Sequence, residues 1–260
     1  MRAPLWWLEV ALTLRRRRLL ALNVGIPLLL VLPVALGGAP AFHAAAVYTV
    51  LFVLFGTFGS AIPLIRDGET GILRRMLLVG ASPRHLLLAR GIGGTLLDAL
   101  QILPSLAVIL LVGIWQGGGG GDAGGSISPG AGPGPASLAL LAVPVLLGAL
   151  LAANLVGIWV AALARSLAEG ALFAAVLSLF LLHGSGVFRT SPPGSAGAFL
   201  EGILPFGPLH RLLLHAAGGS GMGAENLFPL LSGLGGSVIL LLITQLAASA
   251  LLERISAPLR

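Results

Sequence analysis

The charges of this chain are confined to a few short places, and long uncharged stretches separate them. No Asp, Glu, Lys or Arg lies between Arg18 and Arg66, and only Asp122 lies between Asp98 and Arg165. Charged residues make up 9% of the chain, whereas they make up roughly 25% of soluble domains. A soluble fold of 260 residues could not cover its surface with so little charge. The sequence therefore predicts an all-α polytopic membrane protein, folded as a single transmembrane domain over residues 1–260.

Six segments are long and apolar enough to cross a membrane, because a helix needs about 20 mostly apolar residues to span about 30 Å of hydrocarbon. They are Leu19–Leu36, Pro40–Ile65, Ile92–Trp115, Ser137–Ala164, Ala168–Phe188 and Leu227–Leu252. Only Arg165, Ser166 and Leu167 separate the fourth segment from the fifth, which predicts a tight turn between them. We therefore expect six transmembrane helices.

The placement of arginine predicts how these spans are oriented. All 15 basic residues are Arg, and with a cytoplasmic N-terminus all except Arg189 and Arg211 lie on the cytoplasmic side. Because short cytoplasmic loops carry an excess of positive charge, we expect both termini to be cytoplasmic. The expected location is the inner membrane of a prokaryote. Topology then explains the net charge of +6. No basic patch is interleaved with aromatic residues, so we expect no nucleic-acid partner.

Residues 1–18 have the pattern of a helix that lies on the membrane surface. Trp6 and Trp7 suit an aromatic anchor in the interface. The polar residues form one narrow stripe at helical spacing: Arg2, Glu9, Thr13 and Arg16. A cleaved signal peptide is the alternative, since an Arg run, an apolar core and small residues follow one another. Pro40 in the would-be cleavage site disfavours it.

Residues 66–90, here called the connector, join the second and third predicted spans. The connector holds five of the arginines together with Asp67 and Glu69, so it must lie outside the lipid, on the cytoplasmic side. One helical face carries its apolar residues, with Arg74 and Arg75 pointing away: Ile72, Leu73, Met76 and Leu77.

The middle of the connector carries signals for the end of one helix and the start of the next. Gly80 is placed to end the first helix, Ser82 to cap the second, and Pro83 to occupy its first turn. We therefore expect a helix, a sharp turn, and a second helix that continues into the third span.

The connector resembles the loop after the second span in type-2 ATP-binding-cassette (ABC) exporter permeases. The residues that fall on that family's pattern are Glu69, Gly71, Leu73, Met76, Leu77, Ser82, Leu86 to Leu88 and Arg90. Ile72 replaces the usual Thr, Arg74 the usual Glu, and Arg90 the usual Lys. The interfacial helix at the start is a second point of resemblance. The segment ILPFGPLHRLL, which is similar to the family's element before the last span, is a third.

The resemblance implies the membrane-spanning subunit of an ATP-driven exporter, which works as a homodimer or heterodimer of permeases in membrane lipid. It implies coupling to a cytoplasmic ABC ATPase through residues of the connector: Glu69, Gly71, Leu73, Arg74, Arg75 and Ser82. A phosphate-binding loop requires Lys after its glycines, and this chain has none. ATP hydrolysis is therefore expected on a separate chain.

Few aromatic side chains are present on which sugar rings could stack, so we expect a hydrophobic or amphipathic substrate such as a lipid or drug. A haem- or polysaccharide-exporting permease is an alternative within the family. A six-span channel or intramembrane enzyme without an ATPase partner is the alternative outside it.

Two segments are expected on the outer side. Residues 116–136 are rich in Gly, Pro and Ser and predict a flexible external loop. Residues 189–226 predict a re-entrant helical hairpin, with one helix capped by Ser195 and ending at Ile203, and a second over Pro208–Ala217 after Pro205. Each helix is too short to span a membrane, and both are too apolar for a plain loop. A surface loop remains the alternative.

Ser185 with His183, His210 and His215 suggests an intramembrane protease at first sight. The rhomboid-type pattern G-x-S-G fails, however, because position 183 is His, and no H-E-x-x-H occurs. We therefore expect no catalytic residue, no metal site and no cofactor in this chain.

Asp98 and Gln101 form a polar pair within the third predicted span, three residues apart on one helical face. Asp98 lies about 12 Å beyond Arg90 along the helix, well inside the bilayer. An ionisable group at that depth marks a candidate functional position, so the pair could line the transport pathway. The alternative is a structural hydrogen bond, for which the sequence offers three partners: Asn23, Asn154 and Gln245.

Overall fold

The computed structural model describes residues 7, 11, 15, 17–118, 135–189, 191–192, 194–216 and 227–256. The regular elements of these ranges are all helices, which confirms the all-α prediction. They are α1 (Arg17–Leu36), α2 (Ala41–Glu69), α3 (Ile72–Leu78), α4 (Pro83–Gly118), α5 (Pro135–Leu163), α6 (Leu167–Gly184), α7 (Ala196–Ile203), α8 (Phe206–Ala216), α9 (Leu227–Leu246) and α10 (Ala248–Ser256). Most of the predicted interfacial helix and the centre of the predicted external loop lie outside the described residues.

Within the described ranges, four helices are long and apolar enough to cross a membrane: α2, α4 over Pro83–Val112, α5 over Ala142–Leu163, and α6. A fifth is added if Gly233–Leu246 and Ala248–Ser256, which are bent by 64° relative to each other, count as one span. The apolar part of α1, Leu20–Leu36, is shorter. The chain thus has the helices of a multi-pass membrane protein.

Three buried apolar clusters lie between the described helices, and the two larger ones run across most of them. The hairpin cluster joins the end of α1 and the start of α2 to α8, with the end of α4, the start of α5 and the end of α6. The connector cluster joins the end of α2 to α3 and α10, with the start of α4 and the end of α5. Since α2, α4 and α5 each reach from one cluster to the other, consecutive long helices run in alternating directions.

Helix α5 lies at the centre of this arrangement and is the most buried of the candidate spans. It carries no charged residue, as expected of a helix that is enclosed on most sides. Small residues let it approach α2 closely. A Cβ atom on Gly157 would lie 2.5 Å from the Thr57 carbonyl oxygen, and one on Gly56 would lie 2.9 Å from the Ala153 Cβ.

The last predicted span, Leu227–Leu252, was wrong as a single helix, because the chain bends between α9 and α10. Residues Ala248, Leu251, Leu252 and Ile255 of α10 are buried, whereas Glu253 and Arg254 are exposed. An amphipathic segment cannot continue straight through an apolar layer, since its charged face needs water. The bend lets α10 pack its apolar face on the connector cluster while that charged face stays outside.

Candidate functional site

The connector has the helix, turn and helix that its sequence predicts. Helix α3 ends in a left-handed glycine, Gly80, whose φ is +91°. The Gly80 amide donates to the Leu77 carbonyl and the Ala81 amide donates to the Met76 carbonyl, the hydrogen-bond pair of a Schellman motif. The Ser82 hydroxyl then accepts the His85 amide at 3.2 Å and caps α4, which begins at Pro83.

One face of α3 packs against the rest of the protein. Leu73 is completely buried in the connector cluster, and Met76 and Leu77 pack against that cluster. Arg74 and Arg75 are exposed, as predicted. Ile72, which lies on the same helical face, is 38% exposed. Successive helical positions are about 100° apart around the axis. The buried stripe runs through Leu73, Met76 and Leu77, so Ile72 lies at its edge.

The outward surface of the connector combines charge with exposed apolar groups. Glu69 is exposed beside the start of α3. At the other end of α3, Leu78 is 79% exposed and Val79 is 90% exposed. We call Leu78 and Val79 the connector tip. The sequence reasoning missed the tip, although two aliphatic residues directly before a helix-ending glycine were the signal available.

An ion pair closes the connector at its base. The Arg90 guanidinium of α4 contacts the Asp67 carboxylate near the end of α2, and each side chain is 21% exposed. Such partly exposed pairs contribute about 0–1 kcal/mol, so the pair orients the two helix ends more than it stabilises the fold. Of the two connector carboxylates, Asp67 is engaged within the protein while Glu69 faces outward.

Asp98 lies inside the packing of α2, α4 and α5. Its carboxylate accepts a hydrogen bond of 2.7 Å from the Asn154 side-chain amide, which also donates to the Leu150 carbonyl at 2.9 Å. The Ser60 hydroxyl donates to the Asn154 side-chain oxygen. A polar chain of Ser60, Asn154 and Asp98 therefore joins the three helices. Asn154 was one of the three partners that the sequence offered.

Glycines make room for this polar chain. A Cβ atom on Gly59 would lie 3.1 Å from the Asp98 carboxylate, and a Cβ atom on Gly94 would overlap the Asn154 side-chain oxygen. Gln101 is buried one turn further along α4. The structural hydrogen bond foreseen for Asp98 is thus present, and its role in a pathway stays a prediction.

The predicted hairpin contains two short helices, α7 and α8, on either side of Pro205. The Ser195 hydroxyl accepts the Ala198 amide at 3.2 Å and caps α7, as predicted. The α8 side chain His210 packs edge-on against the Phe42 ring at 5.1 Å and approaches the Thr49 hydroxyl of α2. Residues 217–226 of the predicted hairpin lie outside the described residues.

A buried carboxylate that the sequence reasoning missed ties α7 to the segment that follows α6. Glu201 of α7 accepts the Ser191 amide at 2.9 Å and lies against Gly186, whose φ is +74°. The Ser185 hydroxyl donates to the Leu181 carbonyl at 2.8 Å, a bond within its own turn. Among the described residues, no group of three or more His, Cys, Asp or Glu is placed to hold a metal ion.

The sequence matches no protein-family model and no curated protein. The fold defines a class: the part of the chain that the structure describes is helical, with four or five helices able to cross a membrane.

Proposed function

We propose that this chain is the permease subunit of an ATP-driven exporter of the type-2 ABC kind. It moves a hydrophobic or amphipathic substrate, such as a lipid or drug, out of the cytoplasm. The observation that carries the proposal is the connector: a short helix with an exposed charged face, whose other face is buried among the ends of α2, α4 and α5. A push on such a helix reaches three candidate spans directly.

Six crossings account for the course of the chain. The end of α1 lies in the hairpin cluster. Near the start of α9, a Cβ atom on Gly233 would overlap the Pro208 ring of α8. Adding α1 and the α9–α10 pair to the four long spans gives six, with the connector and both termini on one side. By the positive-inside rule that side is the cytoplasm, and α7 with α8 then forms a re-entrant hairpin in the outer leaflet.

The partner is a cytoplasmic ATPase that docks on the connector. In this proposal Glu69, Arg74 and Arg75 make charged contacts, and the connector tip enters an apolar recess of the ATPase. Leu73 anchors the helix, while Gly71 and Ser82 set its two ends. Two permease copies and two ATPase subunits make the working assembly, and hydrolysis falls to the partner because this chain has no Lys.

The substrate class follows from the placement of aromatic residues. Trp159 is the one Trp deep within a predicted span, and its indole N–H donates to the Thr244 hydroxyl at 3.0 Å. The ring is partly buried and packs against the connector cluster, so it is engaged within the protein. The proposal therefore favours a hydrophobic cargo over a polysaccharide.

Reversing the charge of Glu69, as Glu69→Arg, is expected to uncouple ATP hydrolysis from transport. If Glu69 contributes about 1.4 kcal/mol to the contact with the ATPase, its loss weakens the contact about tenfold. The measurement is transport per ATP hydrolysed in vesicles that contain both subunits. Arg189→Glu is the matched control, because it reverses an exposed charge at the opposite end of the bundle. Unchanged coupling in Glu69→Arg would remove Glu69 from the docking surface.

A further inference from the structure

We infer that α10 acts together with the connector, so that a displacement of α3 is transmitted through α10 to α9 as well as directly to α4. This inference rests on the proposed function. It assigns a role to the C-terminal helix, which neither the sequence pattern nor the resemblance singled out.

The first observation is that α10 and α3 share one buried core. Leu73 of α3 is completely buried in the connector cluster, and the same cluster contains Leu251, Leu252 and Ile255 of α10. Protein interiors are close-packed, so a buried side chain cannot shift without moving the side chains it touches. A displacement of α3 therefore acts on α10.

The second observation is a backbone contact between α10 and the end of α2. A Cβ atom on Gly68 would overlap the carbonyl oxygen of Ile255 and lie 3.1 Å from its Cγ2 atom. Gly68 lies in the last turn of α2, three residues before Gly71, the left-handed residue directly before α3. Because the obstacle is a main-chain atom, it cannot yield by rotating a side chain. The end of α2, α3 and α10 are thus packed together as one unit.

The third observation is that no loop separates α10 from α9. The Ala247 amide donates to the Ile243 carbonyl at 3.0 Å, and the Leu251 amide donates to the Ala247 carbonyl at 2.9 Å. Helical hydrogen bonds therefore lie on both sides of the 64° bend. In α9, Thr244 accepts the Trp159 indole of α5. A rotation of α10 therefore moves α9, because no flexible loop lies between them. Through the contact of Thr244 with Trp159, it also acts on α5.

The simpler interpretation is that α10 only rests at the membrane surface, with Glu253 and Arg254 in water. That interpretation predicts that loosening α10 has no effect on coupling. The two interpretations therefore differ in one measurable quantity, which is transport per ATP hydrolysed.

The test uses Gly68→Ala, which places a methyl group where the Ile255 carbonyl lies. Gly235→Ala is the control, because Gly235 is in α9 and nothing lies within 4 Å of the added carbon. Leu252→Ala loosens the same contact by removing packing instead of adding bulk. Since the chain has no Cys, Ile255→Cys can be added to each variant as a unique labelling site, in the full chain purified with its ATPase.

We expect Gly68→Ala and Leu252→Ala to raise the maleimide labelling rate of Ile255→Cys severalfold, because Ile255 is only 8% exposed when α10 is docked. Both should lower transport per ATP severalfold while the ATPase stays bound and active. Gly235→Ala should change neither quantity.

Faster labelling with normal transport per ATP would overturn this inference and leave the proposed function intact. Slow labelling in both Gly68→Ala and Leu252→Ala would also overturn it, because α10 would then not depend on these contacts. Absence of ATP-dependent transport by the unaltered chain would instead overturn the proposed function, and the inference with it.

Discussion

Gly157→Ala is expected to destabilise the helix bundle by about 2–3 kcal/mol, near the upper end of typical overpacking costs. The added carbon would lie 2.5 Å from the Thr57 carbonyl oxygen, 2.9 Å from the Ser60 Cβ and 3.1 Å from the Ala61 amide nitrogen. Two of these atoms belong to the backbone of α2, so α5 has to move away as a whole. Thermal unfolding of the purified protein in detergent, followed by helical circular dichroism, measures the loss.

Gly25→Ala is the control for this prediction, since Gly25 lies within α1 and has no atom within 4 Å of the added carbon. Alanine favours the helix over glycine by about 1 kcal/mol at exposed positions, so this variant should be neutral or slightly more stable. Equal melting temperatures for Gly157→Ala and the unaltered protein would mean that α2 and α5 do not pack this closely.

Asp98→Leu is expected to lower stability by about 1–3 kcal/mol, the cost of leaving a buried donor without its acceptor. The Asn154 amide would lose the carboxylate that it now contacts at 2.7 Å. Asp98→Asn keeps the size of the side chain and an acceptor oxygen for the Asn154 amide, so it should lower stability less than Asp98→Leu does. Unfolding of both variants in detergent measures the difference.

The Asn variant also decides the proposed pathway role of Asp98. If the carboxylate acts in transport, Asp98→Asn changes the transport rate at unchanged stability and dimer content. Normal export by this variant at every pH tested would reduce Asp98 to the helix contact that it makes with Asn154.

Features that depend on neighbours in sequence were predictable here. Gly80, Ser82 and Pro83 specify a helix end, a cap and a first turn, and the structure has all three. Ser195 and Pro205 likewise predicted the two short helices α7 and α8. Such signals act within one or two turns of the chain, so no knowledge of the packing is needed to interpret them.

Features that depend on how helices rotate against each other were not predictable. The sequence narrowed the partner of Asp98 to three residues, but only the packing of α4 against α5 selects Asn154. The sequence around the bend at Ala247 contains no Pro or Gly, so it gives no local signal for a bend. It arises because the apolar face of α10 finds the connector cluster, which residues far apart in the chain assemble.

The central claim is that a separate ATPase drives this chain through the connector. The most direct measurement purifies the full chain from its native membrane in mild detergent. It then determines which proteins copurify and whether the preparation hydrolyses ATP. We expect a cytoplasmic ABC ATPase in near-equal amount, active in hydrolysis, and displaced when Leu78 and Val79 of the connector tip are both changed to Asp. A folded chain that carries no ATPase, or an ATPase that stays bound to the Asp variant as tightly as before, would contradict the claim.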